Sequence, residues 1–145
     1  MQAMSNYPPT RVNLDTGTAV AFVADGSPIL AQLEGYVSGK QMVMTMTALD
    51  QFAKIVHTIG GSQEQARAAT FLTRVVPVPD TPSPRAMALR VTSKGVQESD
   101  RIIFGTGDAL GIVTMTADER FIRAASAQGV DFACYLHAPV PLAGK

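Results

Sequence analysis

Residues 110–136, LGIVTMTADERFIRAASAQGVDFACYL, decide the fold. Ile112 to Met115 reads as a short strand, Ala117 to about Gln128 has helical composition and period, and Phe132 to Leu136 reads as a second strand. Two short strands separated by a helix are parallel neighbours, because a parallel pair needs a crossover where an antiparallel pair closes through a tight turn.

The same alternation runs through the rest of the chain. Arg11 to Leu14 reads as a first strand ended by Asp15-Thr16-Gly17-Thr18, after which Ala19 to Val23 continue apolar toward Asp25-Gly26-Ser27-Pro28. Ile29, Leu30, Leu33 and Tyr36 fall at helical spacing. Gln41 to Thr47 alternates Met42, Met44 and Met46 with Val43, Thr45 and Thr47, the period of a strand with unlike faces. Thr47 can cap a helix from Ala48 to about Thr58, whose stripe is Leu49, Phe52, Ile55 and Val56 and which Gly60-Gly61 stops. Ser62-Gln63-Glu64-Gln65 opens a helix to about Arg74, followed by a Val75 to Val78 strand. Pro82-Ser83-Pro84 leads into a helix from Arg85 to about Ser93, and another runs from about Ser99 to Leu110. The expected fold is a three-layer α/β/α sandwich with a central, mainly parallel sheet, one domain over residues 11–140. Residues 1–10, with two prolines and little apolar content, read as a disordered leader or a cloning remnant.

Composition bounds the function. A chain of 145 residues with 46% hydrophobic content builds one core and little else. Twelve basic against twelve acidic residues give zero net charge, so no bulk field attracts nucleic acid or a membrane and any polyanion contact is local. The single cysteine, Cys134, excludes an internal disulfide and a cysteine-rich zinc site, and reads as a small buried hydrophobe. No run approaches the roughly 18 apolar residues of a membrane span, and Met1 to Thr10 lacks the pattern of a secretion signal. The expectation is a soluble, cytoplasmic protein with no membrane partner.

In parallel sheets the ligand crevice lies beyond the carboxyl ends of the strands. Asp15 ends the first strand, and Asp118 follows the strand that ends at Met115. Asp50 and Asp100, near the starts of their helices, are placed to join them. Four carboxylates in one cleft repel unless a cation neutralises them, and hard oxygen ligands select Mg²⁺ or Mn²⁺. Such ions activate water and stabilise phosphoryl charge, which points to phosphodiester hydrolysis. Capping of helix ends accounts for Asp100 and Asp118 as well, and a solvated first turn accounts for Asp50.

Four segments follow one another in an order and spacing that resembles a PIN domain over residues 11–136: Asp15-Thr16-Gly17-Thr18, Thr47-Ala48-Leu49-Asp50-Gln51-Phe52, Ser99-Asp100-Arg101-Ile102-Ile103 and Leu110 to Phe121. Val76-Pro77-Val78-Pro79-Asp80, Ala86-Met87-Ala88-Leu89 and Lys94-Gly95-Val96 are similar to the middle segment of toxin-type PIN domains. The resemblance implies a metal-dependent ribonuclease of the VapC type. In it Asp15, Asp50, Asp100 and Asp118 are the catalytic Mg²⁺ or Mn²⁺ ligands, and Thr16 and Thr116 support them by hydrogen bonding. It also implies an RNA substrate, an antitoxin or immunity protein as partner, and a homodimer. The role is that of a stand-alone toxin of a toxin–antitoxin pair or of a payload domain in a larger toxin. One departure stands out: PIN domains usually carry Glu where Asp50 stands, which puts direct contact of the shorter side chain with a metal in question. Asp108 and Glu98 are the substitutes nearby in sequence.

Arg101, Arg120 and Arg123 flank the expected cleft and read as RNA-phosphate contacts or as ordinary helix-surface charge. His57 and His137 have no Ser or Cys partner at an informative place and read as structural. Two rivals stand beside the nuclease. The stretch VNLDTGTAV, residues 12–20, resembles the catalytic loop of aspartic proteases, but that fold is nearly all β and this chain is rich in helical segments. A catalytically inactive PIN-like module that binds RNA or protein is the other.

Overall fold

Five short strands form one sheet in which every pair is parallel. In chain order these are β1 (Arg11–Leu14), β2 (Gln41–Thr45), β3 (Val75–Val78), β4 (Val113–Thr116) and β5 (Cys134–Leu136), arranged β3-β2-β1-β4-β5. The structure is a computed structural model and describes residues 10–145, so the leader expected over residues 1–10 lies outside the described residues except for Thr10. Seven helices complete the described residues: α1 (Thr16–Val23), α2 (Leu30–Val37), α3 (Met46–Ile59), α4 (Ser62–Leu72), α5 (Pro84–Met87), α6 (Glu98–Ala109) and α7 (Glu119–Ala127). None is long and apolar enough to cross a membrane.

Strand alternation separates the two faces of the sheet. Val12, Leu14, Met42, Met44 and Met115 join the main core with Ala19, Val23, Leu33, Phe52 and Phe71 from α1 to α4. The other face carries Asn13 and Thr114. Asn13 Nδ2 donates to Thr114 Oγ1 and to the Ile103 carbonyl of α6, both at 3.0 Å. Gly107 allows this approach, since a Cβ there would meet Thr114 Oγ1 at 2.3 Å. Phe104 of α6, Phe121 of α7 and Phe132 pack together behind that face. Helices therefore flank both sides of a parallel sheet, the architecture that alternating strands and helices demand.

Several elements differ from the expectation: residues 19–23, read as an apolar continuation, belong to helix α1, and β5 starts at Cys134, two residues after Phe132. β2 stops at Thr45, whose hydroxyl accepts from Ala48 N at 3.0 Å and caps α3, so Met46 begins the helix and is exposed instead of continuing the methionine face. Thr47, expected as the cap, donates its amide and hydroxyl to Asp80. The helix expected from Arg85 to Ser93 is the single turn α5, because Leu89 is drawn into the core and Arg101 takes the carbonyls of Met87 and Leu89. Cys134 is half-buried at the start of β5.

The segment after β5 packs back on the same body. Val140 and Leu142 lie against the main core, and the buried Glu64 carboxylate accepts from the amides of Ala143, Gly144 and Lys145.

Candidate functional site at the carboxyl ends of the central strands

β1 and β4 pair side by side, and the Asp15 amide donates to the Met115 carbonyl at 2.9 Å, so the two strands end together. Asp15 then caps α1: one carboxylate oxygen accepts from Thr16 N at 2.8 Å and the other from the Thr116 hydroxyl at 2.7 Å. Thr116 Oγ1 also accepts from Asp118 N at 2.9 Å, which ties the two aspartates through one hydroxyl. Asp118 caps α7 through Phe121 N at 3.0 Å. Asp100 sits in the first turn of α6 and accepts from Gln97 N at 2.9 Å. Three helices thus point their amino ends, with their partial positive charge, at one place.

The electrostatics of these acids are perturbed. Burial pushes the Asp15 carboxyl up to about 6 against the hydrogen bonds from Thr116 and Thr16, and the charge of Asp118 adds to the rise. Asp100 is pushed up to about 7, first by burial, then by the charges of Asp118 and Asp15. Each acid thus lies within electrostatic reach of the others, and the helix ends do not offset the crowding. Asp100 and Asp118 line a polar cleft of about 430 Å³ together with Lys94, Gln97, Arg120 and Pro139.

Other expected site residues stand elsewhere. Asp50 is on the outer face of α3 with Met46, Lys54 and His57, exposed and ion-paired with Lys54 at 3.1 Å, and its charge is absent from the causes that shift Asp15 and Asp100. Its neighbour Gln51, turned about 100° around the helix, meets the site: the Thr16 hydroxyl donates to Gln51 Oε1 at 2.7 Å. The Thr16 hydroxyl therefore serves a glutamine, while its amide serves Asp15. Asp108 pairs with Arg85 and Ser83, and Glu98 pairs with Arg101, so neither substitutes for Asp50. Arg101 is committed to the Met87 and Leu89 carbonyls and to Glu98. Arg123 is paired with Glu119 on an exposed face. Of the three arginines, Arg120 lines the cleft, and Lys94 joins it there.

Among the described residues, no three His, Cys, Asp or Glu side chains form a ready-made coordination shell. One oxygen of Asp100 and one of Asp118 serve helix amides, and both oxygens of Asp15 are engaged.

Sequence reading missed Gln51, whereas His137, read as structural, is buried in such a place. The Thr18 hydroxyl donates to the Met115 carbonyl at 2.8 Å and lies 2.6 Å from His137 Nε2, which anchors the exit of β5 to α1. The available signal for Gln51 was its position three residues after Ala48 and one before Phe52, both buried.

The all-parallel five-stranded α/β fold is similar to that of VapC toxins. Similar folds include VapBC2 from Rickettsia felis bound to a DNA fragment from its promoter, with 13% identity, a TM-score of 0.61 and coverage of 79% of this chain and 93% of that one. VapC20 from Mycobacterium tuberculosis, a sarcin-ricin loop cleaving toxin, shares 19% identity at a TM-score of 0.56, covering 81% of this chain and 95% of that one. DNA-bound VapBC from Salmonella typhimurium shares 14% identity at 0.58, covering 79% and 91%. At these identities the likeness is one of fold. The chain belongs to the family described as "Protein of unknown function (DUF1308)", whose model matches residues 18–145.

Proposed function

We propose that the protein is a PIN-type endoribonuclease dependent on Mg²⁺ or Mn²⁺, acting in the cytoplasm as the toxin of a toxin–antitoxin pair or as a toxin payload domain. The observation that carries this reading is the meeting of Asp15, Asp100 and Asp118 at the ends of β1 and β4, with two of them shifted toward neutral pH. Similarity of fold to an RNA-cleaving VapC supports an RNA substrate, and the VapBC structures support an antitoxin partner. The homodimer expected from the resemblance belongs to the same reading.

The donor chemistry fits a hard divalent cation: carboxylate oxygens crowded until burial and mutual repulsion raise their proton affinity are relieved by positive charge. Asp15, Asp100 and Asp118 would hold it. When bound, such an ion lowers the pKa of water and stabilises charge on a phosphoryl oxygen. The chain's own groups do the rest. Thr116 and the Thr16 amide fix the Asp15 carboxylate in orientation. Asp100 and Asp118 each spend one oxygen on a backbone amide, that of Gln97 and that of Phe121, which holds both carboxylates in place at the cleft. Arg120 and Lys94 supply phosphate contacts along the cleft.

Gln51 favours a second reading, in which the module binds RNA or a partner without cutting, because the position beside Thr16 lacks a fourth acid. Incubating purified protein with labelled total RNA and tRNA in Mg²⁺ or Mn²⁺, against EDTA and Asp15→Asn, separates the two. Metal-dependent products lost in the variant support the nuclease. Intact RNA from folded, metal-supplied protein supports the binding module, and equal products in all lanes point to a contaminant.

A further inference from the structure

Gly17 occupies the first turn of α1, two residues from Asp15, with no left-handed backbone to explain it. Glycine is the weakest helix former after proline. Packing does not explain it either, since a Cβ at this position would meet nothing within 4 Å. What the missing side chain leaves is open space: an apolar pocket of about 460 Å³ walled by Val20, Ile55 and Ile59 on the helix side and by Pro139 and Val140 on the other. No lining side chain donates or accepts a hydrogen bond. Ala117 and Pro139 wall both this pocket and the carboxylate cleft, so the two spaces adjoin.

A ligand spanning both joins an anionic group, placed near Lys94 and Arg120, to an apolar face. Neither cation has an ion-pair partner among the described residues. A nucleotide has that form, with its base inserted face-on between aliphatic walls and its polar edges turned to the mouth. We infer that this pocket is a nucleobase subsite for the nucleotide beside the scissile phosphate, an assignment that rests on the ribonuclease reading above. With no polar group in its lining, the subsite requires a base and does not read which one.

The test combines Gly17→Leu, which fills the pocket, with RNA oligonucleotides carrying an abasic residue at successive positions around the cleavage site. Binding is read by anisotropy in EDTA and cleavage by KM and kcat in Mn²⁺. Gly35→Leu, the same change at an exposed open position on α2, controls for the leucine itself. Gly17→Leu should weaken binding and raise KM by about tenfold without lowering the melting temperature. One abasic position next to the cut should do the same to the wild type and add nothing in Gly17→Leu, while base swaps at that position should change KM by less than about threefold. Wild-type binding and KM in Gly17→Leu, or the absence of any sensitive abasic position, overturns the subsite while leaving the nuclease standing. So does a Gly17→Leu protein with unchanged RNA kinetics that fails to bind a protein inhibitor, which assigns the pocket to a protein partner. A wild-type protein that neither binds nor cuts RNA overturns both.

Discussion

Glu64 and Asp15 are both buried acids at the amino end of a helix, and burial penalises the charged form of both. Around Glu64 the amides of Asp25, Gly61, Ala143, Gly144 and Lys145 all donate to its two oxygens, at 2.8 to 3.3 Å. The amides overcome that burial and hold the carboxyl down at about 2. Asp15 receives one amide and one hydroxyl, faces Asp118, and is pushed up to about 6. The number of donors and the sign of the neighbouring charge, not burial, separate the acid that is held ionised, the clasp at Glu64, from the one that is pushed toward its protonated form.

The largest expected effect is on the clasp. Glu64→Gln removes the charge and turns an amide group toward amide donors, so denaturant unfolding should show a loss of about 3 kcal/mol. Because the folded pKa lies below the ordinary 4.5, this stabilisation is complete above that pH and disappears as pH falls toward 2. An unchanged unfolding midpoint in Glu64→Gln from pH 7 down to pH 3 would break the comparison.

At the other site the sign reverses. Asp15 is raised, so the folded protein holds its proton more tightly than the unfolded chain and loses stability as pH rises from about 4 through 6. Asp15→Asn should therefore abolish RNA cleavage yet stabilise the protein by about 1–3 kcal/mol at pH 8, with no gain at pH 4. Equal stability of variant and parent at both pH values would show that the acid is not under strain. A smaller effect is expected of Gln51→Glu, which adds a carboxylate beside Thr16. In thermal melts its Mn²⁺-dependent rise should exceed that of the parent by a few degrees, roughly 1 kcal/mol of added linkage. A rise no larger than the parent's removes Gln51 from the site. The smallest effect separates the arginines. Arg120→Ala should reduce the salt dependence of RNA binding by about one phosphate contact. Arg101→Ala should instead lower the unfolding midpoint, because two backbone carbonyls lose their donor.

The sheet was legible because short runs such as Arg11 to Leu14, closed by Asp15, and Val75 to Val78, closed by Pro79-Asp80, alternate with helical segments that leave parallel pairing as the outcome. Asp15 and Asp118 were legible for the same reason, since strand ends can be counted along a chain. Asp50 was misplaced by a matter of angle: Gln51, one residue on and about 100° around α3, turns toward Thr16 in its stead. The Glu64 clasp was hidden further still. Three of its five donors come from residues 143–145, some 80 positions away, and they are backbone groups that any residue there could offer. The shortened α5 likewise depends on an arginine 14 residues from Met87 reaching back for its carbonyl.

Gly107 has no chemistry to contribute, yet it sets how closely α6 rests on the sheet. α6 is a stiff rod, and Asp100 lies on it seven residues, about 10 Å, toward the amino end. Any side chain at position 107 tilts the rod about its contact with Asn13 and Thr114 and displaces the far end by leverage. The edge of the molecule that carries Asp100 is thus calibrated from its interior by the width of a single missing methyl group.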